Sequence, residues 1–264
     1  MTANLTIDAI EEYKSFASKL ADAAAVITLA NFRKPINIEN KEKAGAFDPV
    51  TIADKAAEQA MRTLIIQKYP DHTIIGEEFD SVNGSSEFSW VLDPIDGTRA
   101  YIMGLPTWGT LIALLYYGEP IIGIIDQPYT KERFIGTPTG TSLNGSIIKC
   151  RTCSGLSDAI LSSTAFDSYS SQEKEAYLSL ASAVKLNRSE YDCYAYAMVA
   201  HGFIDIVAEA GMKIVDIMAL IPVIRGAGGI VSNWQGNDFC DDGRLLACGD
   251  ANIHKAAIAH LKDV

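Results

Sequence analysis

Apolar positions recur along this chain in two rhythms. Over residues 6–32, Ile7, Ile10, Phe16, Leu20, Ala24 and Ile27 fall at helical spacing, and the run ends before Pro35. The lysine-bearing stretch "NIENKEKAGAFDP" reads as a loop. "TIADKAAEQAMRTLIIQKYP" predicts a second helix, with Ala57, Met61, Leu64 and Ile65 on one face. The period then shortens. "HTIIGEE" and "FSWVLDP" predict strands, "TLIALLYYGEPIIGIIDQP" a pair of strands turning at Gly118, and Asn144-Gly145 a second hairpin.

After about residue 155 strands and helices alternate. "DAILSSTA" predicts a strand, "SQEKEAYLSLASAV" a helix, "CYAYAMVAHG" a short helix and "FIDIVAEAG" a strand. "VDIMALIPVIRGAGG" predicts one helix carrying Ile217, Leu220, Ile221 and Ile224, stopped by glycine. "GIVSNW" and "RLLACG" predict strands, and a last helix begins near Asn252. The class is mixed α/β: one unit over residues 1–264, with a hairpin-rich part at 1–155 and an alternating part at 156–264. At 264 residues and 48% hydrophobic, the chain is long enough to bury a large core.

Charge and cysteines narrow the function. A net charge of −11 argues against a nucleic-acid backbone as partner but leaves room for a phosphate ester neutralised by metal ions. The most apolar stretch is interrupted by Gly118-Glu119-Pro120, so no membrane span is expected. Five cysteines make no disulfide framework, and "MTANLTIDAIEEYK" has no signal-peptide pattern, so a reducing cytoplasm is the expected compartment.

"WVLDPIDGT" carries the chemistry. An apolar strand ends in two aspartates three residues apart, and like charges there repel and lose hydration. Asp54, Glu77, Asp93, Asp96 and Asp216 all fall at strand ends or helix starts, where α/β proteins build sites. Each taken singly reads as a capping or solvated acid. As a converging set they need cations, and all-oxygen ligands suit Mg²⁺, with Mn²⁺ as substitute. The bend at Pro94 turns the Ile95 carbonyl toward the same place. Gly97-Thr98 reads as a helix start that favours an anion. Metal carboxylates beside such a terminus suggest phosphoryl transfer to water. Cys150-x-x-Cys153 lacks a second pair, and His72, His201, His254 and His260 have no ligand spacing. Tyr116-Tyr117, Tyr194 and Tyr196 read as core and interface aromatics.

"FDPVTIADKAAE", "IIGEE", "WVLDPIDGT" and "VDIMALIPVIRGAGG", in this order, resemble the inositol monophosphatase family over almost the whole chain. The resemblance implies a layered α-β-α-β-α sandwich, usually a homodimer, and a lithium-sensitive, Mg²⁺-dependent phosphomonoesterase acting on a small phosphate ester with two or three metals per site. It assigns Glu77, Asp93 and the Ile95 carbonyl to a first metal, and Asp93, Asp96 and Asp216 to a second. Asp54 joins the water and third-metal network, with Glu77 shared, and Lys43 matches a family lysine. Gly97 and Thr98 bind phosphate, and Thr98 with Glu77 orients and deprotonates the attacking water.

Within the family, Arg99 and "DCYAYAMVAHGFIDIVAEAG" look like the branch that hydrolyses histidinol phosphate in histidine synthesis. Ile214-Val215 and Arg225 depart from that branch's pattern. A substrate bearing an ammonium and an imidazole calls for acids in its pocket. Asp192 and Glu209 are the candidates, although Asp192 also fits a helix N-cap and Glu209 also matches a hydroxyl acceptor of inositol enzymes. The alternatives are an inositol-phosphate or broader sugar phosphatase, and a regulatory binding protein of the same fold.

Overall fold

The computed structural model describes residues 5–35, 38–40, 49–166, 169–238 and 242–264. Helix α1 (Ile7–Asn31) starts where the Thr6 hydroxyl accepts the Ala9 N–H, and it buries Ile10, Phe16, Leu20 and Ala24, whereas Ile7 in its first turn is exposed. Strands β1 (Ile38–Asn40) and β2 (Pro49–Thr51) pair antiparallel, β1 inside the stretch expected to be loop and β2 at its end, running into the first residue of the stretch expected to be helix. Lys43 lies outside the described residues. Helix α2 (Ile52–Lys68) follows through a capping box between Thr51 and Asp54.

Seven strands then form one sheet in sequence order: β3 (Thr73–Gly76), β4 (Phe88–Asp96), β5 (Gly109–Tyr116), β6 (Glu119–Gln127), β7 (Glu132–Thr137), β8 (Gly140–Leu143) and β9 (Ser146–Ile148). Only β3 and β4 pair in parallel. Helix α3 (Thr98–Met103) sits between β4 and β5. Both predicted hairpins form. Their turns, Tyr117-Gly118 and Asn144-Gly145, have two positive φ angles each, the conformation that suits strand twist.

A second sheet takes the order β11-β10-β12-β14-β13, from β10 (Ile160–Ser163), β11 (Leu186–Ser189), β12 (Ile206–Glu209), β13 (Ile230–Ser232) and β14 (Leu245–Cys248). Its helices are α4 (Ser171–Ala183), α5 (Asp192–Ala200), α6 (Ile214–Ile217), α7 (Leu220–Gly226) and α8 (Ala251–Leu261). The run expected as one helix is therefore two, α6 and α7. Pro222 has no N–H to give the Met218 carbonyl, and it is tolerated in the first turn of a new helix. The break also lays the Ala219 carbonyl on β6, so close that a Cβ at Gly123 would meet it at 2.1 Å.

The core clusters define the layers. α1 and α2 pack on one face of the large sheet through Trp90, Leu92, Ile112 and Leu114. α5, α6 and α7 fill the space between the sheets with Val91, Leu111, Ala113, Val207 and Ala247. α4 and α8 cover the far face of the small sheet over Leu161, Ile206 and Leu246. This is the expected α-β-α-β-α order. It also fixes the register of β4. Burying Trp90 or Leu92 is worth about 1.5–3 kcal/mol each, and a one-residue slip would exchange them for Val91 and Asp93. The apolar face against α1 and α2 thus directs the Asp93 carboxylate to the opposite face.

Candidate active site

β4 runs through Pro94, but its pairing with β5 shifts register between Asp93 and Asp96. A bulge is where a strand tolerates proline, and it re-aims the side chains that follow. The freed Pro94 carbonyl accepts the buried Thr110 hydroxyl at 2.8 Å, and Ile95 turns into a small cluster with Phe32, Ala53, Tyr101 and Trp108. Asp93 and Asp96 consequently end near one another. Asp93 is 2% exposed, and its Oδ1 accepts the Ile95 N–H at 3.0 Å. Asp96 accepts the Cys193 N–H, from the first turn of α5, at 2.6 Å.

Asp216 arrives from the second half of the chain. It is the third residue of α6, and its Oδ2 accepts the Lys213 N–H at 2.7 Å, so it ties back to the N-cap backbone instead of serving as the N-cap. One carboxylate oxygen each from Asp93, Asp96 and Asp216 lie within 4.8 Å of one another, and no other group of three or more acids, histidines or cysteines is so disposed among the described residues. Burial pushes Asp93 and Asp96 well above the usual aspartate range. Next in effect on Asp93 is the charge of Glu77, then Asp96, Asp216 and Asp54. Next for Asp96 are Asp192 and Asp216. The donor set is all oxygen, acidic and crowded, which fits a hard divalent ion such as Mg²⁺.

Glu77 and Asp54 flank the triple. Glu77 follows β3, and the Lys213 ammonium lies 3.7 Å from its Oε1. Asp54 is buried in the first turn of α2, where Thr51 donates to it through both backbone and hydroxyl. Burial raises its pKa more than those bonds lower it. The Thr98 hydroxyl is 3.1 Å from the Ile95 carbonyl and 3.4 Å from Asp54 Oδ1. One hydroxyl therefore joins two of the predicted groups. Gly97, at φ 81°, is the N-cap of α3.

The substrate-side acids fall as follows. Asp192 is the first residue of α5 at φ 47°, with Tyr191 as N-cap, so the N-cap reading does not hold. Its Oδ2 accepts the Thr107 hydroxyl at 3.2 Å, and its Cγ lies 2.6 Å from where a Cβ on Gly97 would be. Only glycine suits position 97, for its φ and for this approach. Burial first, then Glu190, lifts Asp192 to about 6, against Thr107 and the Arg99 charge. Arg99 itself is exposed on α3. Glu209, buried at the end of β12, accepts the Thr164 hydroxyl at 2.6 Å and is lifted by burial to about 7. The bonds from Thr107, Thr164 and the Cys193 N–H to these acids are visible only in the fold.

The other candidates recede. His72 accepts from Trp90 Nε1 inside an aromatic stack, His254 meets Ser232 and His260 meets Ser179. Tyr196 is buried and Tyr194 donates to Glu132. No helix among the described residues is long and apolar enough to cross a membrane.

With this geometry in hand, comparison with known proteins places the chain. A model of the inositol monophosphatase family matches residues 9–264, and the chain belongs to that family of phosphatases. It is 42% identical to the bifunctional phosphatase IMPL2, chloroplastic, of Arabidopsis thaliana, over 96% of this chain and 76% of that protein. It is 32% identical to a histidinol-phosphatase of Streptomyces coelicolor, covering 93% and 95%. The structure of an inositol monophosphatase from Zymomonas mobilis superposes with a TM-score of 0.87 at 37% identity, covering 96% of this chain and 99% of that one.

Proposed function

We propose that this protein is a Mg²⁺-dependent phosphomonoesterase whose substrate is histidinol phosphate, released as histidinol. The observation that carries the reading is the seat of Asp192. Its carboxylate lies against Gly97, at the start of α3, within one residue of the metal-ligand candidate Asp96. A phosphate bound at Gly97 and Thr98 leaves its alcohol facing that acid, and a cationic alcohol gains most from it. The kinship with IMPL2 and with a histidinol-phosphatase supports the same substrate.

In this reading Glu77, Asp93 and the Ile95 carbonyl hold one ion, and Asp93, Asp96 and Asp216 another. Bound Mg²⁺ supplies a Lewis acid for the phosphoryl oxygens and lowers the pKa of water. The protein residues orient the reaction. Thr98 presents a hydroxyl that Asp54 and the Ile95 carbonyl hold in place. Glu77 takes a proton from the attacking water in line with the scissile bond, and a water near Asp216 gives one to the departing alcohol oxygen. The same reading includes lithium as a competitor for a magnesium position and a dimer as the assembly.

A second reading, an inositol or sugar phosphatase, is favoured by Glu209, which accepts a hydroxyl from Thr164 and suits a sugar hydroxyl equally well. Phosphate release with Mg²⁺ from histidinol phosphate and from inositol 1-phosphate separates the two. A hundredfold preference in kcat/KM for histidinol phosphate, about 2.7 kcal/mol of differential transition-state binding, is the expected outcome. The opposite preference rejects that substrate and keeps the metal site.

A further inference from the structure

Asp54, Glu58 and Arg62 are spaced four residues apart on α2 and form one polar stripe along its buried side. Glu58 is 0% exposed and Arg62 4%. The Arg62 Nε donates to Glu58 Oε1 at 2.7 Å. The remaining bonding capacity of the pair goes to the segment that carries Glu77. Glu58 Oε2 accepts the Glu78 N–H at 2.8 Å, while Arg62 donates to the Phe79 carbonyl at 2.9 Å and the Asp80 carbonyl at 3.0 Å. On the other side of Glu77, a Cβ at Gly76 would meet Glu58 Oε1 at 2.0 Å and Arg62 Nη2 at 2.7 Å. The carboxylate is thus pressed on the backbone just before Glu77 and bonded to the backbone just after it.

A buried ion pair is a poor way to gain stability, because an apolar pair of the same volume does as well or better. What this pair supplies is direction. Two planar groups bind three successive backbone groups, at residues 78, 79 and 80, from a helix whose first turn holds Asp54. The far end of the loop is closed independently by a bridge between Ile74 and Val82. The clamp therefore acts on the aim of residues 76–80 more than on whether the loop closes.

We infer that Glu58 and Arg62 are positioning residues that hold the Glu77 carboxylate ready for the metal before the metal arrives; this rests on the metal reading above. Neither touches the reacting atoms. α2 then acts as one ruler, fixing Asp54 directly and Glu77 through the clamp.

The test is Mg²⁺ affinity, from calorimetry and from the Mg²⁺-induced rise in thermal midpoint, for Arg62→Lys and the near-isosteric Glu58→Gln, each alone and combined with Glu77→Gln. Expected is an affinity about 10- to 100-fold weaker for the single variants, the usual effect of removing a partner behind a metal ligand. KM at saturating Mg²⁺ should stay within about twofold. In the Glu77→Gln background neither change should weaken binding further, because its route is gone. Folded variants that bind Mg²⁺ like the parent, or effects that add fully to Glu77→Gln, overturn the inference. A parent protein that Mg²⁺ neither binds nor stabilises overturns it together with the metal reading. Amide exchange in the unmutated, metal-free protein is an independent check. The Glu78 amide, whose N–H Glu58 accepts, should already be protected, and fast exchange there slowed only by Mg²⁺ rejects preorganisation.

Discussion

Two buried aspartates, one in each half of the chain, are treated in opposite ways. Asp205, just before β12, is 1% exposed and is bound by two Arg151 nitrogens, at 2.8 and 2.5 Å, and by the Ile160 N–H at 2.7 Å. Its charge is balanced where it lies, and it staples the small sheet. Asp93, 2% exposed on the large sheet, receives the Ile95 N–H and stands among Glu77, Asp96, Asp216 and Asp54. Burial alone does not mark a candidate metal ligand. What marks Asp93 is that the surrounding protein adds negative charge where Asp205 is given a guanidinium.

The largest test of that contrast exchanges each acid for its amide. Asp93→Asn should lower Mg²⁺-dependent phosphate release by roughly 10²- to 10⁴-fold, the scale of several kcal/mol of charge stabilisation. The metal-free fold should be retained, because a repulsive charge has gone. Asp205→Asn should do the reverse. It should cost about 3 kcal/mol of stability, through weakened charge-assisted bonds and an unbalanced arginine, while Mg²⁺ half-saturation stays put. Substantial turnover in Asp93→Asn, or a shifted Mg²⁺ requirement in Asp205→Asn, would erase the distinction.

Glu209 tests the same contrast on the substrate side. Burial raises its folded pKa from 4.5 to about 7. The folded state then holds a proton that the unfolded chain has already released, so this group's contribution falls as pH climbs from about 4.5 to about 7 and is flat outside that window. The loss is on the order of 3 kcal/mol. Metal-free protein should therefore show a falling thermal midpoint across that range, and Glu209→Gln should flatten the fall. An unchanged slope would show that Thr164 and its surroundings stabilise the carboxylate better than burial penalises it.

The acid set was legible because each member sits in a local pattern: two aspartates ending an apolar strand, a glutamate after "IIG", an aspartate opening a helix. The layer order and both hairpins were legible for the same reason, a clear period or an Asn-Gly turn. What the pattern hid was pairing at a distance. Asp192 fitted an N-cap as well as a substrate contact, and only the fold brings Thr107 to it and shows the left-handed backbone that presses it on Gly97. The split of α6 from α7 had a visible cause in Pro222, outweighed by four apolar residues at helical spacing. The stripe Asp54, Glu58, Arg62 was also visible, at the same period as Ala57, Met61 and Ile65. It passes for a solvated face until the strand that it covers is known.

The smallest expected effect concerns the one ammonium beside this acid cluster among the described ion pairs. Lys213 Nζ lies 3.7 Å from Glu77 Oε1 with its side chain 58% exposed, while its backbone N–H holds Asp216. The backbone role survives Lys213→Ala; the charge does not. An exposed pair of this kind is worth about 0.2–1 kcal/mol, so freeing Glu77 from it should tighten Mg²⁺ binding by no more than about fivefold. The gain should fade as salt screens the charge. Titrations of parent and variant at low and high ionic strength read this directly. Weaker binding in Lys213→Ala would reverse the sign of the assignment: the lysine would then be orienting Glu77 as Glu58 and Arg62 do, and the cluster would have a positive partner of its own after all.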